Sequence, residues 1–80
     1  MANRGSISKE QLAAWMTKEL QKFEGCEECE VHQPYELREP DAEGCNWSLS
    51  SIRATGVPKE VYGPALDKVV SEARTKFNIE

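Results

Sequence analysis

Apolar residues recur in the first part of the chain with helical period. Leu12, Trp15, Met16, Leu20 and Phe23 follow one another at spacings of three, one, four and three, which lays them along one stripe of an α-helix. Ser8 stands ahead of the stripe and Gln11 three residues later, the pattern of a capping box, with Ile7 and Leu12 set for the accompanying hydrophobic staple. Gly25 supplies the residue a left-handed helix end favours. The spacing predicts a helix over about 9–24. A Trp-Met stripe of this kind is core packing rather than a ligand wall.

A second stripe closes the chain. Val61, Tyr62, Leu66, Val69, Val70, Ala73 and Phe77 recur at helical spacing. Pro64 suits a first turn, Gly63 suits the entry because a residue before proline avoids the helical region, and Pro58-Lys59-Glu60 can add a preliminary turn. The prediction is a helix over about 63–77, ended by Asn78.

Between the helices the pattern changes to strands, over about 29–37 and 46–54. Pro40-Asp41-Ala42-Glu43-Gly44 lies between them and reads as a turn. Pairing Leu37 with Trp47 sets Tyr35 opposite Leu49, so that four large residues share one face. Leu49 and Ile52 have opposite parity, which calls for a bulge or a twist near Ser50-Ser51. Pro34 has no amide hydrogen for a ladder and should face a free edge. A hairpin is marginal by itself. The consistent fold is α+β, a two-layer α-β-β-α sandwich in which both helices cover one face of the antiparallel hairpin.

Composition bounds this picture. The chain has 80 residues, enough for a single domain over 1–80. Such a chain buries only about 60–65% of its unfolded surface, so a deep substrate cavity would consume much of the core. Hydrophobic residues make up 39% and charged residues 30%, with a net charge of −4 and a pI of about 5.0. The Lys and Arg residues are scattered. Nucleic-acid binding through Arg38, Arg53 and Lys59 is therefore the weakest functional reading. No apolar run matches a signal-peptide core or a membrane span, and three cysteines cannot all pair within one chain. These features lead us to expect a cytoplasmic, reduced protein.

The candidate chemistry is concentrated in Cys26-Glu27-Glu28-Cys29-Glu30-Val31-His32, with Cys45 further on. In the hairpin above, Cys45 falls opposite Glu39, about 30 Å of extended strand from Cys29, whereas zinc ligands must all lie about 2.3 Å from one ion. Cys26, Cys29 and His32 remain, three ligands without a second CxxC. Cys26 also follows a helix C-terminus among Glu24, Glu27, Glu28 and Glu30, where both the helix dipole and the carboxylates disfavour a thiolate. The expectation is three ordinary free cysteines with no cofactor and no metal. A metal- or thiol-dependent site at Cys26, Cys29 and His32 is the alternative. Asp41 has a turn-capping role to fill, and no phosphate loop or nucleophile elbow is present in the sequence.

Three stretches, Pro40-Asp41-Ala42-Glu43-Gly44-Cys45-Asn46-Trp47, Val61-Tyr62-Gly63-Pro64-Ala65-Leu66 and Ala73-Arg74-Thr75-Lys76-Phe77-Asn78, give the C-terminal half a likeness. It resembles a group of short uncharacterised bacterial proteins with a PDxxGCNW turn and a C-terminal ARxxFN helix. The resemblance implies a bacterial cytosolic protein and carries no activity or ligand.

The functional expectation is a small non-enzymatic protein-interaction module. The second strand carries small Ser48, Ser50 and Ser51, with Arg53 as its single charge. A partner protein or a second copy of the chain is expected to add along this edge.

Overall fold

The computed structural model describes residues 5–42 and 44–79 and is a mixed α+β structure of two helices and short strand pairs. In chain order the elements are β1 (Gly5–Ile7), α1 (Lys9–Leu20), β2 (Glu30–Val31), β3 (Tyr35–Glu36), β4 (Trp47–Ser48), β5 (Ile52–Arg53), α2 (Lys59–Lys76) and β6 (Phe77–Ile79).

Helix α1 starts as its sequence dictates. The Ser8 hydroxyl accepts from the Gln11 amide at 3.1 Å and the Gln11 side chain accepts from the Ser8 amide at 3.1 Å. Leu12, Met16 and Leu20 of the expected stripe are buried, with Ala13 beside them, while Trp15 and Phe23 are half-buried. The helix ends at Leu20 rather than at residue 24. Beyond it the hydrogen bonds tighten to three-residue turns, Phe23 to Leu20 at 3.1 Å and Cys26 to Phe23 at 3.0 Å, the usual way a helix end satisfies its last carbonyls. Gly25 has φ +89°, and a Cβ there would come within 2.8 Å of the Val61 side chain. Backbone conformation and close approach both require glycine.

Helix α2 begins earlier than expected, at Lys59. The Val61 and Tyr62 amides both donate to the Pro58 carbonyl, at 2.9 and 3.2 Å, so the preliminary turn runs straight into the helix. Pro64 therefore lies inside α2. The carbonyl that loses its donor belongs to Glu60, which is exposed in the first turn, where solvent substitutes. The helix buries Ala65, Val69 and Ala73, one row at four-residue spacing. It gives way at Phe77 to β6, which pairs in parallel with β1, Gly5 opposite Phe77 and Ile7 opposite Ile79. Neither terminal strand was expected, and Asn78 lies within β6 rather than ending the helix.

The hairpin is present but its register differs by one residue. Tyr35 faces Ser48 and Glu36 faces Trp47, where Leu49 and Leu37 were the expected partners. The turn sets this. Asp41 and Cys45 bond through the Asp41 amide at 2.9 Å, Gly44 donates to the Asp41 carbonyl at 2.9 Å with φ +84°, and Leu37 donates to Asn46 at 2.8 Å. The slip separates the four large residues. Trp47 is 0% exposed in the core, while Tyr35, on the opposite face, is 51% exposed.

The expected continuous strands are broken into two paired segments, Glu30 and Val31 with Arg53 and Ile52, then Tyr35 and Glu36 with Ser48 and Trp47. Residues 32–34 and 49–51 intervene, equal lengths on the two strands, so no extra residue is inserted and no bulge forms. The parity conflict is met by the other device expected there, a twist: the hydrogen-bonding phase changes across the gap, from the His32–Ser51 pair to the Leu37–Asn46 pair five residues on. Val31 and Trp47 would point to opposite faces of a regular ladder, yet both are buried in one cluster with Leu12, Met16, Leu20, Ala65, Val69 and Ala73 from the two helices. Pro34 lies in this gap and is buried.

Candidate functional site

The break in the hairpin decides which backbone groups remain available. The His32 amide donates to the Ser51 carbonyl at 3.1 Å, making these two a hydrogen-bonded pair. In an antiparallel ladder the neighbouring pair, Val31 with Ile52, then points its main-chain groups outward, to opposite edges. The Val31 edge is covered. Its amide donates to Thr17 Oγ1 at 2.9 Å, the same hydroxyl donates to its carbonyl at 3.3 Å, and Gln21 Nε2 donates to the Cys29 carbonyl at 3.1 Å. The Ile52 edge has no strand beyond it among the described residues.

Further along the second strand, Trp47 is the outward residue. Its carbonyl accepts from Cys45 Sγ at 3.3 Å and its indole Nε1 donates to the Phe77 carbonyl at 3.0 Å. The edge is thus occupied near the turn, and near Ile52 it carries no further strand among the described residues. The side chains expected to mark the edge reach across the hairpin instead. Ser50 Oγ donates to the Gln33 carbonyl at 2.6 Å, Ser51 Oγ bonds His32 Nδ1 at 2.8 Å, and Arg53 pairs with Glu30 at 3.0 Å. Ser48 pairs with Tyr35. Arg53, the single charge of the strand, has its guanidinium drawn onto the first strand.

Thr17 and Gln21, which cover the first edge, were missed by sequence reasoning. Their signal was present as two polar residues one helical turn apart beside the buried Met16 and Leu20.

The cysteines and histidine divide. Cys26, Cys29 and Cys45 are free and fully buried in the core cluster, whereas His32 is exposed. Burial pushes the Cys29 thiol up from its ordinary value, and the neighbouring Cys26 thiol and the Glu27 carboxylate add to the rise. Among the described residues no group of three or more His, Cys, Asp or Glu side chains stands together as a metal ion would need. Of the basic residues singled out, Arg53 is paired with Glu30, Arg38 is exposed toward the turn and Lys59 opens α2. A groove of about 260 Å³ between the helices is lined by Glu19, Lys22, Phe23, Lys68, Val69 and Glu72, a set containing no hydroxyl, thiol or imidazole.

The most connected polar assembly holds the C-terminal strand. Asn46 Nδ2 donates to the Ile79 carbonyl at 2.9 Å while the Ile79 amide donates to Asn46 Oδ1 at 2.8 Å, so one side-chain amide replaces a neighbouring strand. Asn78 Nδ2 donates to the Gly44 carbonyl at 3.2 Å. Asp41 accepts from the Cys45 amide at 3.0 Å with one carboxylate oxygen and pairs with Arg74 through the other. Asp41, Gly44, Asn46 and Trp47 of the turn stretch thus meet Arg74, Phe77 and Asn78 of the last one. The work of these residues is structural.

No family model, curated protein or solved structure matches the chain. No helix among the described residues is long and apolar enough to cross a membrane.

Proposed function

We propose that the chain is a small non-enzymatic interaction module that takes an extended segment of another protein, or of a second copy of itself, as a strand beside β5. One observation carries the reading. Thr17 of α1 and Gln21 just past its end occupy the first-strand edge of the hairpin, while among the described residues no strand lies beside the outward amide and carbonyl of Ile52. Unpaired edges are what partner strands recognise.

The reading narrows the contact to residues 49–53, with Ser50, Ser51 and Arg53 held back across the hairpin so that a backbone can approach. It takes the two helices as one layer over one face of the hairpin, which the shared core of Met16, Trp47 and Val69 supports. It takes the working compartment as a reducing cytosol, where three free buried thiols need no partner. It carries forward the likeness to the short bacterial proteins, with the shared motifs serving to hold β6.

The test selects peptides on the immobilised full chain from an unbiased library and follows amide exchange of the free and bound states. Bound peptides should slow exchange at Ile52 and leave Val31 unchanged. Protection confined to the helices, or selection of no peptide while the chain stays monomeric at high concentration, would overturn it.

A further inference from the structure

Cys26 and Cys29 occupy the two ends of one tight turn. The Cys29 amide donates to the Cys26 carbonyl at 3.0 Å, and a four-residue turn closed in this way brings its terminal Cα atoms within about 7 Å. That overlaps the separation of about 4.4–6.8 Å over which a disulfide spans two residues. The turn is held on several sides. Cys26 donates to the Phe23 carbonyl at 3.0 Å, the Gly25 amide donates to Glu27 Oε2 at 2.8 Å, and Gln21 Nε2 fixes the Cys29 carbonyl at 3.1 Å. Cys45 is engaged elsewhere, its thiol donating to the Trp47 carbonyl.

Charge decides what such a pair can become. Both thiols are fully buried behind the C-terminal end of α1, with Glu24, Glu27, Glu28 and Glu30 alongside in sequence. Burial, the neighbouring Cys26 thiol and the Glu27 carboxylate oppose an anionic form of Cys29. A dithiolate holding a metal would carry that charge, whereas a disulfide is neutral and apolar.

We propose that Cys26 and Cys29 form a modification site, a dithiol that a low-molecular-weight disulfide oxidises reversibly to an intrachain bond while Cys45 stays reduced. The step balances. One thiol loses its proton and attacks oxidised glutathione, which forms a mixed disulfide and expels one glutathione thiolate. The second cysteine attacks the mixed disulfide, the intrachain S–S bond forms, and a second glutathione thiolate leaves. Two protein thiols are oxidised and one glutathione disulfide is reduced to two thiols. Burial and the raised Cys29 thiol make the exchange slow, since the thiolate is the attacking form. The inference does not depend on the strand-addition reading.

The test incubates the folded full chain in a glutathione buffer rich in the oxidised form, quenches in acid, alkylates the remaining thiols and maps tryptic peptides. Lys22 and Arg38 bound a peptide holding both Cys26 and Cys29, while Cys45 falls in the next one, ending at Arg53. The first peptide should lose the mass of two hydrogens and resist alkylation, and the second should carry one alkyl group. A parallel sample refolded from denaturant in the same buffer removes slow access as a factor. Two alkylated thiols in the first peptide after refolding, glutathione retained on either cysteine, or a disulfide involving Cys45 would overturn the proposal.

Discussion

Replacing Asn46 by alanine should destabilise the fold far more than its position beside a turn implies. Its side-chain amide satisfies both main-chain groups of Ile79, at 2.8 and 2.9 Å, and Ile79 is only 6% exposed. Each of these bonds is worth about 0.5–1.5 kcal/mol net, and a buried group left without a partner costs about 1–3 kcal/mol. Partial access of water to a terminal strand brings the sum to about 2–3 kcal/mol. In a domain of this size each kcal/mol moves the melting temperature by about 4–8 °C, so Asn46→Ala should melt about 10–20 °C lower. Urea and thermal unfolding followed by circular dichroism read this directly, with an unchanged denaturant slope indicating an unchanged native state. A loss below about 0.5 kcal/mol, the range of an ordinary surface substitution, would refute the reasoning that one side chain stands in for a strand.

Trp47→Ala should cost about 3–5 kcal/mol, enough to unfold a domain this small; a cooperatively folded variant melting near wild type would contradict a core centred on Trp47. Thr17→Val keeps shape but removes the hydroxyl from both main-chain groups of Val31; it should cost about 1–3 kcal/mol and accelerate exchange of the Val31 amide, and unchanged exchange there would deny Thr17 its covering role. Cys29 gives a pH dependence. Its folded thiol is raised above the ordinary value of 9.0, so the folded chain keeps a proton that the unfolded chain has already lost, and stability is full below that pH and falls as the pH climbs past it. Cys29→Ala should flatten this part of the alkaline decline, visible as a smaller drop in melting temperature between neutral and alkaline buffer; an identical decline in both proteins would reject the assignment.

What the sequence revealed depended on how local the determining contacts were. The start of α1 was legible because Ser8 and Gln11 complete their box within one turn. Its end was displaced because the apolar stripe runs on through Phe23 after the hydrogen bonds have changed to tighter turns. The hairpin was legible from its turn, but its register was not. Matching large residues across the strands favoured Leu37 with Trp47, while the Asp41–Gly44 turn geometry and the pull of Trp47 into the helices fixed Glu36 there instead. The strands β1 and β6 carry three residues each with no alternation to read, and β6 owes its place to Asn46 and Trp47, which lie some thirty residues earlier. At the candidate site, the second strand could be singled out by its serines and lone charge. The fact that α1 covers the other edge required knowing which face of the helix meets Val31.

The most direct test of the central claim is residue-resolved amide hydrogen exchange on the free full chain, comparing Val31 with Ile52. The two face each other across the hairpin and point their amides to opposite edges. The account predicts a protected Val31 amide, held by Thr17, beside a fast-exchanging Ile52 amide that becomes protected when an extended segment binds. Equal protection of the two in the free monomer, or a fast Val31 beside a slow Ile52, would contradict it.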